Sequence, residues 1–138
     1  MLDNEKMTEL VNLARIARNR AYAPYSNFKV GAAILTSNGN VFTGVNVENV
    51  SFGLTICAER SAAVAAVTAG ELDWLGIAVV ASSENPTTPC GACRQFLAEF
   101  NPLLSVTVAN PQTVFFTISL LELLPSPFEN SIFHSQKE

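Results

Sequence analysis

Three cysteines and one glutamate are the residues of this chain best placed to do chemistry. Cys90 and Cys93 lie in Pro89-Cys90-Gly91-Ala92-Cys93, and Cys57 opens Cys57-Ala58-Glu59. Thiols at i and i+3 share a helix face, and the unpaired N–H groups at a helix N-terminus favour thiolate over thiol. If the segments after Cys57 and Cys90 are helices whose starts meet, three sulfurs converge, and a tetrahedral, soft-ligand cation such as Zn²⁺ is the natural occupant. A closed structural site takes four protein ligands, whereas a catalytic site takes three and leaves the fourth position to water. The chain has no fourth cysteine, and its single histidine, His134, lies in a polar tail. Water is therefore expected in the fourth position unless a carboxylate or a second chain fills it. Glu59 is then the candidate general acid and base, moving a proton from the water to the substrate and leaving group. Three thiolates outweigh the charge of a dication, and the helix dipoles, Arg60 and Arg94 are the available compensation. Taken alone, the Cys90/Cys93 pair also fits a redox or structural-zinc motif, and Glu59 an exposed first-turn acid.

The elements that must position these groups are read from periodicity. Residues 5–22 show helical spacing of Met7, Leu10, Ala14, Ala17 and Ala21, closed by Pro24. Strands are expected over 29–36 and 41–47 around the turn Ser37-Asn38-Gly39-Asn40. Both alternating sets of the first strand are apolar, so both sheet faces should be covered. A helix follows over 57–69, rich in alanine and ended by Gly70. A buried strand is expected over 75–81, then a polar loop over 82–88. The next helix has Thr88 as candidate N-cap, Pro89 at its first position, the stripe Phe96, Leu97 and Phe100, and Pro102 as its stop. Strands over 104–109 and 113–118 are separated only by Asn110-Pro111-Gln112, too short for a parallel crossover, so as neighbours they are antiparallel. A short helix over 119–124 completes the order αββαβαββα, an α/β layered domain with a mixed sheet. No repeat or linker divides the 138 residues, which are expected to form one domain, 1–138, with 129–138 as a peripheral tail.

Composition narrows the function. Apolar residues make up 49% and charged residues 14% of the chain, against ~25% charge in a typical soluble domain. That deficit points to subunit contacts. The net charge of −4 argues against a surface that follows a phosphate backbone, so no nucleic-acid partner is expected. The N-terminal residues have no basic and apolar signal-like pattern, and no apolar run is long enough to span a bilayer. A cytoplasmic location without membrane association is the expectation. Three cysteines are an odd set, which suits a metal or a reactive thiol better than a disulfide framework.

With these motifs in hand, the chain resembles a known family. TICAER at 55–60, PCGACRQ at 89–95, APYSNFKVGAA at 23–33, GVNVEN at 44–49 and ELLPSPF at 122–128 are similar to the small, three-cysteine, homotetrameric cytidine deaminases. The resemblance implies a three-layer fold with a mixed five-stranded sheet, and zinc-dependent hydrolysis of cytidine and deoxycytidine to uridine, deoxyuridine and ammonia in pyrimidine salvage. It implies one Zn²⁺ per chain on Cys57, Cys90 and Cys93, with Glu59 moving protons between the water, N3 of the pyrimidine and the departing amine. It further implies that Asn46 and Glu48 bind the ribose hydroxyl, that Phe28 packs on the base, and that the backbone at Ala58 orients it. Arg60 would offset thiolate charge. Family members complete each site with a neighbouring subunit, which makes Phe52 and Phe128 contributions from other chains. Two departures stand out: Phe52 occupies a position where such proteins often have tyrosine, and the turn at 110–113 lacks a glycine often seen there. A deaminase for a cytosine-containing antibiotic such as blasticidin S, or an inactive zinc module, is the competing reading.

Overall fold

A computed structural model describes residues 2–129. The first helix, α1 (Asn4–Arg18), is started by Asp3, whose carboxylate accepts from the Lys6 N–H at 2.8 Å. It ends four residues before the helical spacing does. The Tyr22 N–H donates to the Asn46 carbonyl and the Glu48 N–H donates to the Tyr22 carbonyl, so the backbone at Tyr22 is spent on a strand-like bridge that a helix cannot share.

Strands β1 (Val30–Thr36) and β2 (Val41–Val45) form the expected hairpin. After the 3₁₀ turn Phe52–Leu54, which periodicity does not reveal, comes α2 (Ala58–Thr68) with Cys57 as N-cap. Its end is a Schellman motif: the Gly70 N–H bonds the Val67 carbonyl and the Glu71 N–H bonds the Ala66 carbonyl, with Gly70 at φ +80°. Strand β3 (Trp74–Ala81) leads to α3 (Gly91–Ala98), and β4 (Ser105–Ala109), β5 (Val114–Ser119) and α4 (Leu120–Leu123) follow. The cap of α3 is Cys90, not Thr88, and Pro89 lies ahead of the helix. The Thr88 hydroxyl is used elsewhere, as acceptor for an Arg94 N–H at 3.0 Å.

The sheet order is β2-β1-β3-β4-β5. Only β3 and β4 run parallel, joined by the α3 crossover; the last two strands are antiparallel, as their short connection requires. That turn closes without a glycine: the Asn110 side-chain oxygen accepts from the N–H groups of Gln112 and Thr113 at 2.8 and 2.7 Å, and no residue of 110–113 has a positive φ.

Both sheet faces are covered, as the two-sided apolar strands foretell. Ala32, Ile34, Ile77, Val79, Val106 and Val108 face α2 and α3, while Ala33, Leu35, Ala78 and Val80 face Leu10, Val11 and Ala14 of α1. The result is a helix–sheet–helix sandwich. Close approach of α2 to β2 depends on Gly44, where a Cβ would fall 2.2 Å from the Ala62 nitrogen and 2.6 Å from the Ala58 carbonyl. The alanines of α2 thereby sit against the hairpin, and the helix start carrying Cys57 is fixed to the sheet. Among the described residues, no helix is long and apolar enough to cross a membrane.

Candidate active site

The starts of α2 and α3 meet. Cys57 and Cys90 occupy the two N-cap positions, and neither makes the side-chain bond to backbone N–H that a capping serine or aspartate makes, so both sulfurs are left to face each other. Their Sγ atoms are 3.9 Å apart, and those of Cys57, Cys90 and Cys93 all lie within 4.8 Å of one another. Sulfurs on a tetrahedral zinc, with bonds of about 2.3 Å, stand about 3.8 Å apart, whereas a disulfide needs ~2.0 Å. The donor set therefore fits zinc in both spacing and chemistry. Among the described residues, no carboxylate joins this group. His134 lies outside them.

Electrostatics prepares the sulfurs for a cation. The Cys57 thiol is drawn down to about 5, chiefly by a hydrogen bond from Cys93, with help from Arg60 and Cys90 and against the opposing effect of burial. Cys93 is pushed up in turn, above all because it is the donor in that bond. Arg60 reaches Cys57 Sγ with Nη2 at 3.6 Å, and its guanidinium is held more firmly protonated by that contact. Its buried Nε has no hydrogen-bond partner, an orphaned donor beside a cluster of sulfurs that become thiolates on a metal. Arg94, the other arginine expected to offset this charge, instead directs all three guanidinium nitrogens at the oxygens of Thr88, Pro89 and Leu123.

Glu59 lies in the first turn of α2 and is only 6% exposed. Burial, which disfavours the charged form, raises its carboxyl to about 7; the Cys57 charge adds to this, while its own backbone N–H and Arg60 oppose it. A carboxyl group near neutrality can both take and return a proton. Ala58, immediately before it, is fully buried at the same helix start. The Ser61 hydroxyl ties this turn to β2 by donating to the Val45 carbonyl at 2.9 Å.

The residues expected to hold substrate fall into linked groups. Asn46 is 8% exposed, and its amide donates to the Phe28 carbonyl at 2.8 Å and accepts from the Val30 N–H at 2.9 Å. It thus fixes the entry to β1 and places Phe28; one amide N–H and one lone pair remain. Glu48 Oε1 accepts from the backbone N–H groups of Tyr25 and Ser26 at 2.9 and 3.1 Å, and the Ser26 hydroxyl donates to Oε2. These bonds, the hydroxyl first, hold its carboxyl below the usual carboxylate range. Glu48 and Phe52 line a pocket of about 210 Å³ together with Tyr25, Ser26 and Thr55. Phe52 meets Tyr25 edge to face at 5.5 Å. None of the cysteines lines that pocket. Phe128 is held against the middle of α3, where its N–H donates to Gln95 Oε1 at 2.9 Å and the Gln95 amide returns a bond to its carbonyl at 3.0 Å. Tyr25 and Gln95 escape sequence reasoning because their partners, Glu48 and Phe128, are remote in the chain, and Thr55 because nothing local marks it as lining this pocket.

A three-layer α/β fold with three sulfurs at two helix starts and a buried carboxyl beside them defines a zinc-dependent deaminase. Residues 4–109 match the family described as the cytidine and deoxycytidylate deaminase zinc-binding region. The chain is 48% identical over 120 residues to a cytidine deaminase of Halalkalibacterium halodurans, covering 86% of this chain and 91% of that protein. It is 44% identical over 128 residues to a probable cytidine deaminase of Dictyostelium discoideum, covering 92% and 86%. The crystal structure of cytidine deaminase from Burkholderia pseudomallei superimposes with a TM-score of 0.85 at 46% identity, over 92% of this chain and 100% of that one. The chain belongs to the cytidine and deoxycytidylate deaminase family.

Proposed function

We propose that this protein hydrolyses cytidine and deoxycytidine to uridine and deoxyuridine with release of ammonia, in pyrimidine salvage, and that residues 1–138 form one deaminase domain. The observation that carries the reading is the convergence of three sulfurs beside the buried carboxyl of Glu59. Cys57, Cys90 and Cys93 would hold one Zn²⁺. When bound, the metal supplies Lewis-acid activation of water for attack at C4 of the base. Glu59 would carry both protons of the attacking water in turn: the first to N3 as the C4–O bond forms, and the second from the new C4 hydroxyl to the exocyclic amine as the C4–N bond breaks and ammonia leaves. Arg60 stabilises the thiolates, and the backbone at Ala58 orients the base. Phe28 packs against the ring, while Asn46 and Glu48 receive the sugar hydroxyl.

The substrate is a free nucleoside rather than a polynucleotide, in keeping with a net charge of −4 and a carboxylate in the sugar pocket. We take the protein to be a cytoplasmic homotetramer with shared active sites. Val50, Phe52, Leu54 and Phe128 are 62–78% exposed on the single chain, and Phe52 and Phe128 are the residues assigned to neighbouring sites. Incubation with each nucleoside should abolish the cytosine absorbance and release ammonia, with metal analysis giving one zinc per chain. Zinc-loaded protein that leaves both nucleosides intact sinks the reading.

A further inference from the structure

Cys90 is the most exposed of the three cysteines, and it caps α3 at the end of an irregular loop over 82–90. Its sulfur makes no capping bond that would hold its rotamer. The backbone around it is gripped from inside α3. The Arg94 N–H bonds the Cys90 carbonyl at 2.9 Å, and its Nε donates to the Pro89 carbonyl at 2.7 Å. Nη2 donates to the Thr88 hydroxyl at 3.0 Å and Nη1 to the Leu123 carbonyl, at the end of α4, at 2.9 Å. One planar fork thus spans two successive residues of the cysteine loop, Thr88 and Pro89, and the C-terminal segment at Leu123, while the Arg94 backbone N–H holds the Cys90 carbonyl. The next residue, Gln95, holds the backbone of Phe128 by its reciprocal pair of bonds.

We propose that Arg94 is a positioning residue that fixes the Cys90 ligand by clamping Thr88 and Pro89, and that through Leu123 it joins the zinc loop to the segment presenting Phe128. This rests on the zinc reading of the three cysteines. Partners that orient metal ligands without touching the metal commonly govern retention by about 10–100-fold. Lysine cannot replace the fork, because its single ammonium cannot reach three oxygens in that planar arrangement.

The test follows zinc transfer from the intact holoenzyme to the chromogenic chelator 4-(2-pyridylazo)resorcinol, well below the melting temperature, in wild type, Arg94→Gln, Arg94→Lys and Val106→Ala. Val106 is a fully buried β4 residue outside the cysteine cluster and serves as a control for lost stability alone. Release should be faster by about 10-fold or more in Arg94→Gln, and by an intermediate factor in Arg94→Lys, while Val106→Ala should lower Tm without matching that rate. If Arg94→Gln does not fold, Arg94→Lys decides the matter. Release at the wild-type rate from a folded Arg94 variant, or a rate that tracks Tm equally in Val106→Ala, overturns the proposal. Wild-type protein that binds no zinc removes the proposed function instead.

Discussion

A carboxyl group buried to 6% exposure is costly to keep ionised, and its persistence at Glu59 calls for a use. The rise to about 7 is the mark of that cost, since desolvation is its leading cause. Glu59→Gln removes the ionisable proton while keeping nearly the same volume. If the carboxyl serves proton transfer, kcat should fall by about 100-fold or more, while Tm stays level or rises because a buried charge has been removed. A fall in Tm with activity retained would make Glu59 a structural residue. Glu48 invites a two-way comparison, because it both lines the pocket and holds the turn at Tyr25 and Ser26. Glu48→Gln keeps an oxygen for those N–H groups and should preserve the turn, while losing the charged acceptor for a sugar hydroxyl. Glu48→Ala loses both. KM for cytidine is expected to rise in each, more in Glu48→Ala, with kcat changed less; an unchanged KM in both would exclude sugar recognition there. The grouping of the cysteines and the place of Glu59 at a helix start were legible because each follows from spacing within one helical turn of its motif. The turn-holding bonds of Glu48 and the oxygen clamp of Arg94 were not, since they depend on which distant backbone atoms the fold delivers.

Elements were read from sequence best where the pattern had a single physical cause. Two-sided apolar alternation marked β1 as a covered strand, and Gly70 marked the end of α2 because a positive φ was needed there. Boundaries failed where a competing bond won: α1 stops early because the Tyr22 backbone pairs with Asn46 and Glu48. The start of α3 moved because the Thr88 oxygen serves Arg94. Nothing local in the sequence reveals that Gly44 is the contact point between β2 and the start of α2. Its missing side chain permits the approach that seats Ala58 and, with it, Cys57 and Glu59. Gly44→Ala must push the helix start away, and overpacking of this kind costs about 1–3 kcal/mol. Tm should fall and zinc content with it, because both effects arise at one contact. Urea unfolding read beside metal analysis checks this; full zinc occupancy at lowered stability would mean that the cysteines tolerate a shifted α2.

At the scale of the whole molecule, the scarcity of charge in the composition takes a location. Val50 at 78%, Phe52 at 70% and Leu54 at 66% exposure follow one another along the segment before Cys57, and Phe128, at 62%, lies in the C-terminal segment bonded to Gln95 of α3. On an isolated chain this places apolar side chains in water, and one of them, Phe52, lines the pocket of Glu48 and Tyr25, which none of the cysteines lines. Assembly answers both points if a neighbour's aromatic residues close each site. Sedimentation should then give four times the 14.8 kDa of the chain, and the sharing itself can be tested by complementation. Glu59→Gln subunits lack the proton carrier but retain Phe128, whereas Phe128→Ala subunits lack the aromatic group but retain Glu59. Each parent should be impaired alone. In tetramers co-assembled from both, some sites combine Glu59 of one subunit with Phe128 of the other and regain wild-type composition. With equal, random mixing that fraction is about a quarter of all sites in a closed symmetric assembly. Activity well above the mean of the parents is the expected result. Activity equal to that mean, in particles shown to contain both variants, would place Phe128 in the site of its own chain or outside any site.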